Sequence, residues 1–248
     1  MSAGRLSVHA SLARVGPPNA VTLLALAIGI TGILFASQDA FGSAVICIAC
    51  AAVLDGLDGF VARLLAGHSR FGAELDSLAD VINFGVAPAL VLYWWGLAQA
   101  GPLGWAAVVI YCAGAAIRLA RFNSAESETG PYFRGVPTPA AAILALLPMA
   151  LTFGTQLAVF AMPLMVESWL VLVAALMVST LPTFSLKSVR LSGRALACAA
   201  LGAAVGTLAL PRAPWMVLSG MAAAYLLTLP VSALRFEASR YHATSVDP

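Results

Sequence analysis

Four aspartates, Asp55, Asp58, Asp76 and Asp80, fall within the stretch LDGLDGFVARLLAGHSRFGAELDSLAD, Leu54 to Asp80. The chain around them avoids charge: hydrophobic residues are 61% of it and charged residues 10%, with a mean hydropathy of +0.93. Carboxylates are costly in such surroundings, and a cluster of them marks function by default. Asp55 and Asp58 are spaced i, i+3 and Asp76 and Asp80 i, i+4, so each pair lies on one helix face. A short connection makes the two helices antiparallel neighbours, and the pairs can converge. Carboxylates brought that close repel, and a divalent cation is the simplest remedy. Hard oxygen donors favour Mg²⁺ or Mn²⁺ over zinc. Four such donors can hold two ions, and two ions about 3.5–4 Å apart are a device for displacement at phosphorus. Gly56, Gly59, Ala62 and Gly72 leave room beside the carboxylates, and Arg63 can offer a phosphate two N–H groups. Singly, each residue has a plainer role: Asp58 and Arg63 as an ion pair, the glycines as helix packing. Together they point to phosphorus chemistry.

The elements that must position these residues are membrane helices. So apolar a chain of 248 residues cannot cover a globular surface with polar groups, and it reads as one all-α, polytopic membrane bundle. Apolar segments run near 20–37, 41–66, 76–98, 102–122, 137–154, 163–184, 195–211 and 214–234. Each approaches the roughly 20 residues needed to span the hydrocarbon layer, giving about eight transmembrane helices. The whole chain, 1–248, is expected to form one domain, with a core over about 18–185 and extra helices over about 195–235. Of thirteen basic residues only Arg212 falls in a loop on the far side. By the positive-inside rule the other side is cytoplasmic, and it carries both termini and all four aspartates. No cleavable secretory signal is apparent, and the tail RFEASRYHATSVDP is expected to be a short mobile segment. Cys47, Cys50, Cys112 and Cys198 sit in apolar runs and read as packing residues, and His9, His68 and His242 show no ligand spacing. Spans seven and eight hold no acids and read as packing or dimer surface.

The stretch from Asp55 reads D-x2-D-G-x2-A-R-x8-G-x3-D-x3-D. It resembles the signature of the CDP-alcohol phosphotransferase family at every fixed position: Asp55, Asp58, Gly59, Ala62, Arg63, Gly72, Asp76 and Asp80. The resemblance implies an enzyme that moves a phosphatidyl-type group from a CDP-linked lipid to an alcohol and releases CMP. It implies that Asp55, Asp58, Asp76 and Asp80 hold two divalent ions, and that Asp80 also serves as the general base toward the acceptor hydroxyl. Gly59, Ala62, Arg63, Ser69 and Gly72 would then face the CDP-lipid. The family's first helix contributes to the nucleotide site, which makes Asn19 and Thr22 candidates; a helix-start role fits PNAVT equally well. A homodimer in a bacterial cytoplasmic membrane, with the site facing the cytoplasm, is the family-level expectation.

The flanking blocks SRFGAELDSLADVINFGVAPALVLY, AAIRLARFN and YFRGVPTPAAA are similar to the phosphatidylserine synthase branch. That similarity implies CDP-diacylglycerol and L-serine as substrates and phosphatidylserine as product. A serine carboxylate needs a cation. Arg118, Arg121 and Arg134 stand on the cytoplasmic side, with Asn123 as a further polar group. The arginines equally suit the phosphate of glycerol phosphate or inositol phosphate, anionic headgroups, or plain positive-inside anchoring. Asn123 equally suits a helix end. The small net charge of +2 gives no reason to expect a nucleic-acid partner. A cation transporter fits less well, because the acids gather at one face and none lies deeper. A purely structural subunit leaves both aspartate pairs unexplained.

Overall fold

The computed structural model describes residues 17–64, 70–124, 132–184, 209 and 212–244, with side chains described within 19–57, 71–124, 135–181 and 212–229. Helix α1 (Pro17–Ala36) opens on two prolines, which fit a first helical turn because no N–H is needed there. A tight turn with Asp39 at φ 58 leads into α2 (Phe41–Leu64). The two helices pack closely because Gly32 carries no side chain: a Cβ there would stand 3.0 Å from the Cys47 Cβ and 3.2 Å from the Ala44 carbonyl.

Helix α3 (Arg70–Asp80) runs without a break into a π-helical turn, Val81–Val86, and then into α4 (Ala87–Trp95). The wider turn has a local cause. Pro88 has no N–H to give to the Phe84 carbonyl four residues back. The Tyr111 hydroxyl donates to that carbonyl instead, at 2.9 Å. A 3₁₀ turn (Leu97–Ala100) and Gly101 at φ 62 reverse the chain, within the GLAQAGPLG stretch expected to do so. Helix α5 (Pro102–Ser124) follows.

The expected fifth span is two helices, α6 (Thr138–Ala145) and α7 (Leu147–Thr155). Pro148 removes the N–H that the Leu144 carbonyl would have received, and the Trp169 indole Nε1 donates to it at 2.6 Å. Helix α8 (Pro163–Val178) is shorter than its apolar run. Its chain leaves the helix before Pro182, which disfavours helical backbone in the residue ahead of it. The segment then pairs as β2 (Pro182–Phe184) with β1 (Tyr132–Arg134) in an antiparallel ribbon, with Tyr132 opposite Phe184. This ribbon is a small exception to the all-α expectation. Helix α9 (Pro214–Thr244) extends through Arg235 and beyond, so the stretch expected to be a mobile tail is helical up to Thr244. The seventh apolar segment, 195–211, lies outside the described residues apart from Ala209.

Four described spans are long and apolar enough to cross a membrane: Asn19–Ala36, Phe71–Trp95, Pro102–Ser124 and Thr138–Thr155. Shorter apolar helices cover Phe41–Leu57, Pro163–Val178 and Pro214–Leu229. The core is built from Phe84, Leu92, Tyr111, Leu144, Met149, Leu170 and Met177, all fully buried, while Leu34, Leu103, Leu164 and Leu227 point outward. Large apolar side chains on the outside and backbone hydrogen bonds satisfied within helices are what a hydrocarbon solvent demands, and the chain is an integral membrane protein.

Candidate functional site

Helices α2 and α3 bring three of the four aspartates together. One carboxylate oxygen from each of Asp55, Asp76 and Asp80 lies within 4.8 Å of the other two. The Asp55 and Asp80 carboxyl groups are within hydrogen-bonding reach. A buried oxygen of Asp80, Oδ1, meets no hydrogen-bond donor among the described residues. Three acids this close, with a buried acceptor left over, suit a hard divalent cation better than they suit one another. Gly56 faces open space: a Cβ there would meet nothing within 4 Å. Asp58, Gly59, Ala62 and Arg63 continue along α2, but their side chains lie outside the described residues, as does Ser69 altogether. Gly72 sits half-buried on α3.

The π-turn begins immediately after Asp80. It carries Asn83 into the bundle, where the carboxamide occupies the space left by Gly29 of α1. Asn83 is 1% exposed, and its Oδ1 accepts no hydrogen bond among the described residues. Asn19 and Thr22 are buried on the first turns of α1. That helix begins at Pro17, so both residues lie inside it and neither is its cap.

The basic residues of α5 divide. Arg118 is partly buried and lies within electrostatic range of Asp80. Its Nη1 donates to Thr138 Oγ1 at 3.1 Å, and its Nε finds no acceptor among the described residues. Arg121 is exposed and donates to the Val178 carbonyl at 2.9 Å, closing the C-terminal end of α8. Asn123 donates to Ser77 Oγ at 2.9 Å and ties α5 to α3 beside the aspartates. Arg134 lies in β1, with its side chain outside the described residues. Arg118 and Arg121 are thus held by different partners. Arg118 alone of the two is turned to the acids.

The model of the CDP-alcohol phosphatidyltransferase family matches residues 16–181, from α1 through α8. The chain belongs to that family. Proteins named CDP-diacylglycerol–serine O-phosphatidyltransferase are similar to this phosphatidyltransferase chain in several organisms. The Mycobacterium tuberculosis protein is 37% identical over 221 residues, covering 86% of this chain and 76% of its own. The Helicobacter pylori protein is 40% identical over 174 residues, covering 70% and 73%. The Methanocaldococcus jannaschii protein is 41% identical over 115 residues, covering 46% and 52%.

Four side chains of this phosphatidyltransferase escape a reading of motifs. Thr138 accepts from Arg118, Tyr111 donates to the Phe84 carbonyl and Asn83 fills the space beside Gly29, yet each is a common residue in an apolar run. Tyr225 of α9 is the fourth. Its hydroxyl is buried with no hydrogen-bond partner among the described residues, and it lies within electrostatic range of Arg118. Span eight thus carries a buried polar group within electrostatic range of Arg118. The available signal was a single tyrosine within an Ala- and Leu-rich helix.

Proposed function

We propose that this protein transfers the phosphatidyl group of CDP-diacylglycerol to the hydroxyl of L-serine, forming phosphatidylserine and CMP. The observation that carries this is the Asp55–Asp76–Asp80 cluster standing beside Arg118 in a chain of this family, whose relatives bear that activity in their names. In the proposed reaction the serine oxygen attacks the phosphatidyl phosphorus. A new P–O bond forms, and the bond to the bridging oxygen breaks and leaves with CMP. Asp80 takes the hydroxyl proton as attack proceeds. Asp55, Asp58, Asp76 and Asp80 would hold two divalent ions, Mg²⁺ or Mn²⁺. When bound, such ions offset the negative charge of the diphosphate and of the departing CMP. Asn19, Thr22, Gly59, Ala62, Arg63, Ser69 and Gly72 would line the nucleotide and lipid headgroup site. The acyl chains leave it sideways into the bilayer.

The acceptor assignment has physical support. A serine carboxylate carries one negative charge, and a phosphate monoester carries up to two. Among the described side chains, Arg118 is the cation turned to the acids, while Arg121 is held by Val178. The Arg118 guanidinium can pair with the serine carboxylate through two N–H groups. Asn123 would contribute by fixing Ser77 and hence α3, and Arg134 would face the acceptor from the ribbon. The same proposal includes eight spans, both termini and the site on the cytoplasmic side of a bacterial cytoplasmic membrane, a homodimer, and one domain over 1–248 with its core over about 18–185.

The test is CMP release by purified protein given CDP-diacylglycerol, Mn²⁺ or Mg²⁺, and one acceptor at a time. Release with serine, abolished by chelation, is expected. Release only with glycerol 3-phosphate or inositol phosphate would keep the donor chemistry and overturn the serine assignment.

A further inference from the structure

Helix α9 lies beyond the residues matched by the family, 16–181, yet it packs against α6, α7 and β2. It thereby brings Tyr225 within electrostatic range of Arg118. Arg118 is already oriented by its hydrogen bond from Nη1 to Thr138 Oγ1 at 3.1 Å. Two buried polar groups are then left over, the Arg118 Nε–H and the Tyr225 hydroxyl, in residues within electrostatic range of each other and neither with a hydrogen-bond partner among the described residues. A buried phenol ordinarily finds a partner, and a buried guanidinium N–H does so still more consistently. Two buried donors in this neighbourhood, each without an acceptor, are complementary to a ligand bringing two acceptor oxygens. Asp80, the proposed base, is also within electrostatic range of Arg118.

We propose that the Tyr225 hydroxyl and the Arg118 Nε–H together hold the carboxylate of the acceptor, which makes Tyr225 a specificity-determining positioning residue contributed from outside the matched core. This rests on the serine acceptor of the proposed function. The carboxylate oxygens would take one N–H and one O–H, and the guanidinium charge offsets the carboxylate charge. With its carboxylate anchored there, the amino acid can turn its hydroxyl toward Asp80. Tyr225 touches no reacting atom, so its loss should weaken acceptor binding and leave donor binding alone.

The experiment uses the full-length protein with Mn²⁺ and CDP-diacylglycerol, comparing wild type with Tyr225→Phe. The acceptors are L-serine and serinol, which replaces the carboxylate by a hydroxymethyl group. Removing a hydrogen bond to a charged group should raise the serine KM by about tenfold or more. The KM for CDP-diacylglycerol should stay within about twofold, since that substrate does not meet the phenol. The preference for serine over serinol in kcat/KM should fall by about the same tenfold, because the phenol acts only on the carboxylate. An unmoved serine KM, an equal loss with both acceptors, or a fall in kcat alone would overturn the assignment. So would a variant that fails to fold, since the hydroxyl would then be structural. Wild type that releases CMP with glycerol 3-phosphate and not with serine would remove the serine acceptor itself. Wild type active on serine beside an unmoved Tyr225→Phe removes only the role of Tyr225.

Discussion

The Tyr111 hydroxyl donates to the Phe84 carbonyl at 2.9 Å, from the middle of α5 into the π-turn that follows Asp80. Tyr111 is fully buried, and Phe84 beside it is too. The bond replaces one that Pro88 cannot make. It also ties α5 to the turn directly after the helix carrying Asp76 and Asp80, so a core tyrosine helps fix the position of the acids.

Tyr111→Phe is expected to leave the Phe84 carbonyl buried and unpaired, at a loss of about 1–3 kcal/mol in stability. Thermal unfolding in detergent measures it. CMP release per folded molecule should fall as well, because the turn beside Asp80 loses its tether to α5.

Asp55→Asn, Asp76→Asn and Asp80→Asn should each lower CMP release by at least about 100-fold, the upper end of what losing even an outer-shell partner of a metal costs. Chelation should do the same to the wild type, with recovery on adding Mn²⁺ or Mg²⁺. A second readout separates metal binding from catalysis. Without an ion, three carboxylates within 4.8 Å repel. Asp80→Asn should therefore melt above the wild type in chelator, and the order should reverse when Mn²⁺ is present.

Arg118 and Arg121 should behave oppositely. Arg118→Lys keeps the charge but removes Nε and the planar fork, so the serine KM should rise about tenfold or more. Arg121→Ala removes an exposed donor to the last turn of α8. A loss of about 0.3–1 kcal/mol in stability, with the serine KM unchanged, is the expected result. Steady-state kinetics and melting on the two variants check the division.

The aspartate centre was legible because charge is rare in this chain and because i, i+3 and i, i+4 spacings on adjacent helices leave little choice of face. Asp55, Asp76 and Asp80 meet as that spacing implies. The division of the arginines was not legible. Arg118 and Arg121 look alike along α5, and what separates them is that α8 ends at Val178 within reach of one. The π-turn hides for a different reason. VINFGV has the composition of any buried helix, and only Pro88 hints that its pitch must change. Tyr225 depends on how α9 folds back onto α6 and α7, which no local pattern encodes. The β1–β2 ribbon is likewise a pairing across 50 residues, from Phe133 to Thr183, and three-residue strands leave no alternation to read.

The break between α6 and α7 offers a cycle of two substitutions. The Leu144 carbonyl accepts from Trp169 Nε1 at 2.6 Å because Pro148 supplies no N–H. Trp169→Phe alone should destabilise by about 1–3 kcal/mol, as a buried carbonyl loses its donor. Pro148→Ala restores a backbone N–H four residues after Leu144 and lets the helix run on. In that background the carbonyl no longer depends on the indole, so Trp169→Phe should lower stability less than it does in the wild type. The difference between the two losses is the coupling between Pro148 and Trp169, and unfolding curves of the four proteins measure it. Equal losses in the two backgrounds would mean that the indole stabilises α8 through packing alone and that the freed carbonyl plays no part.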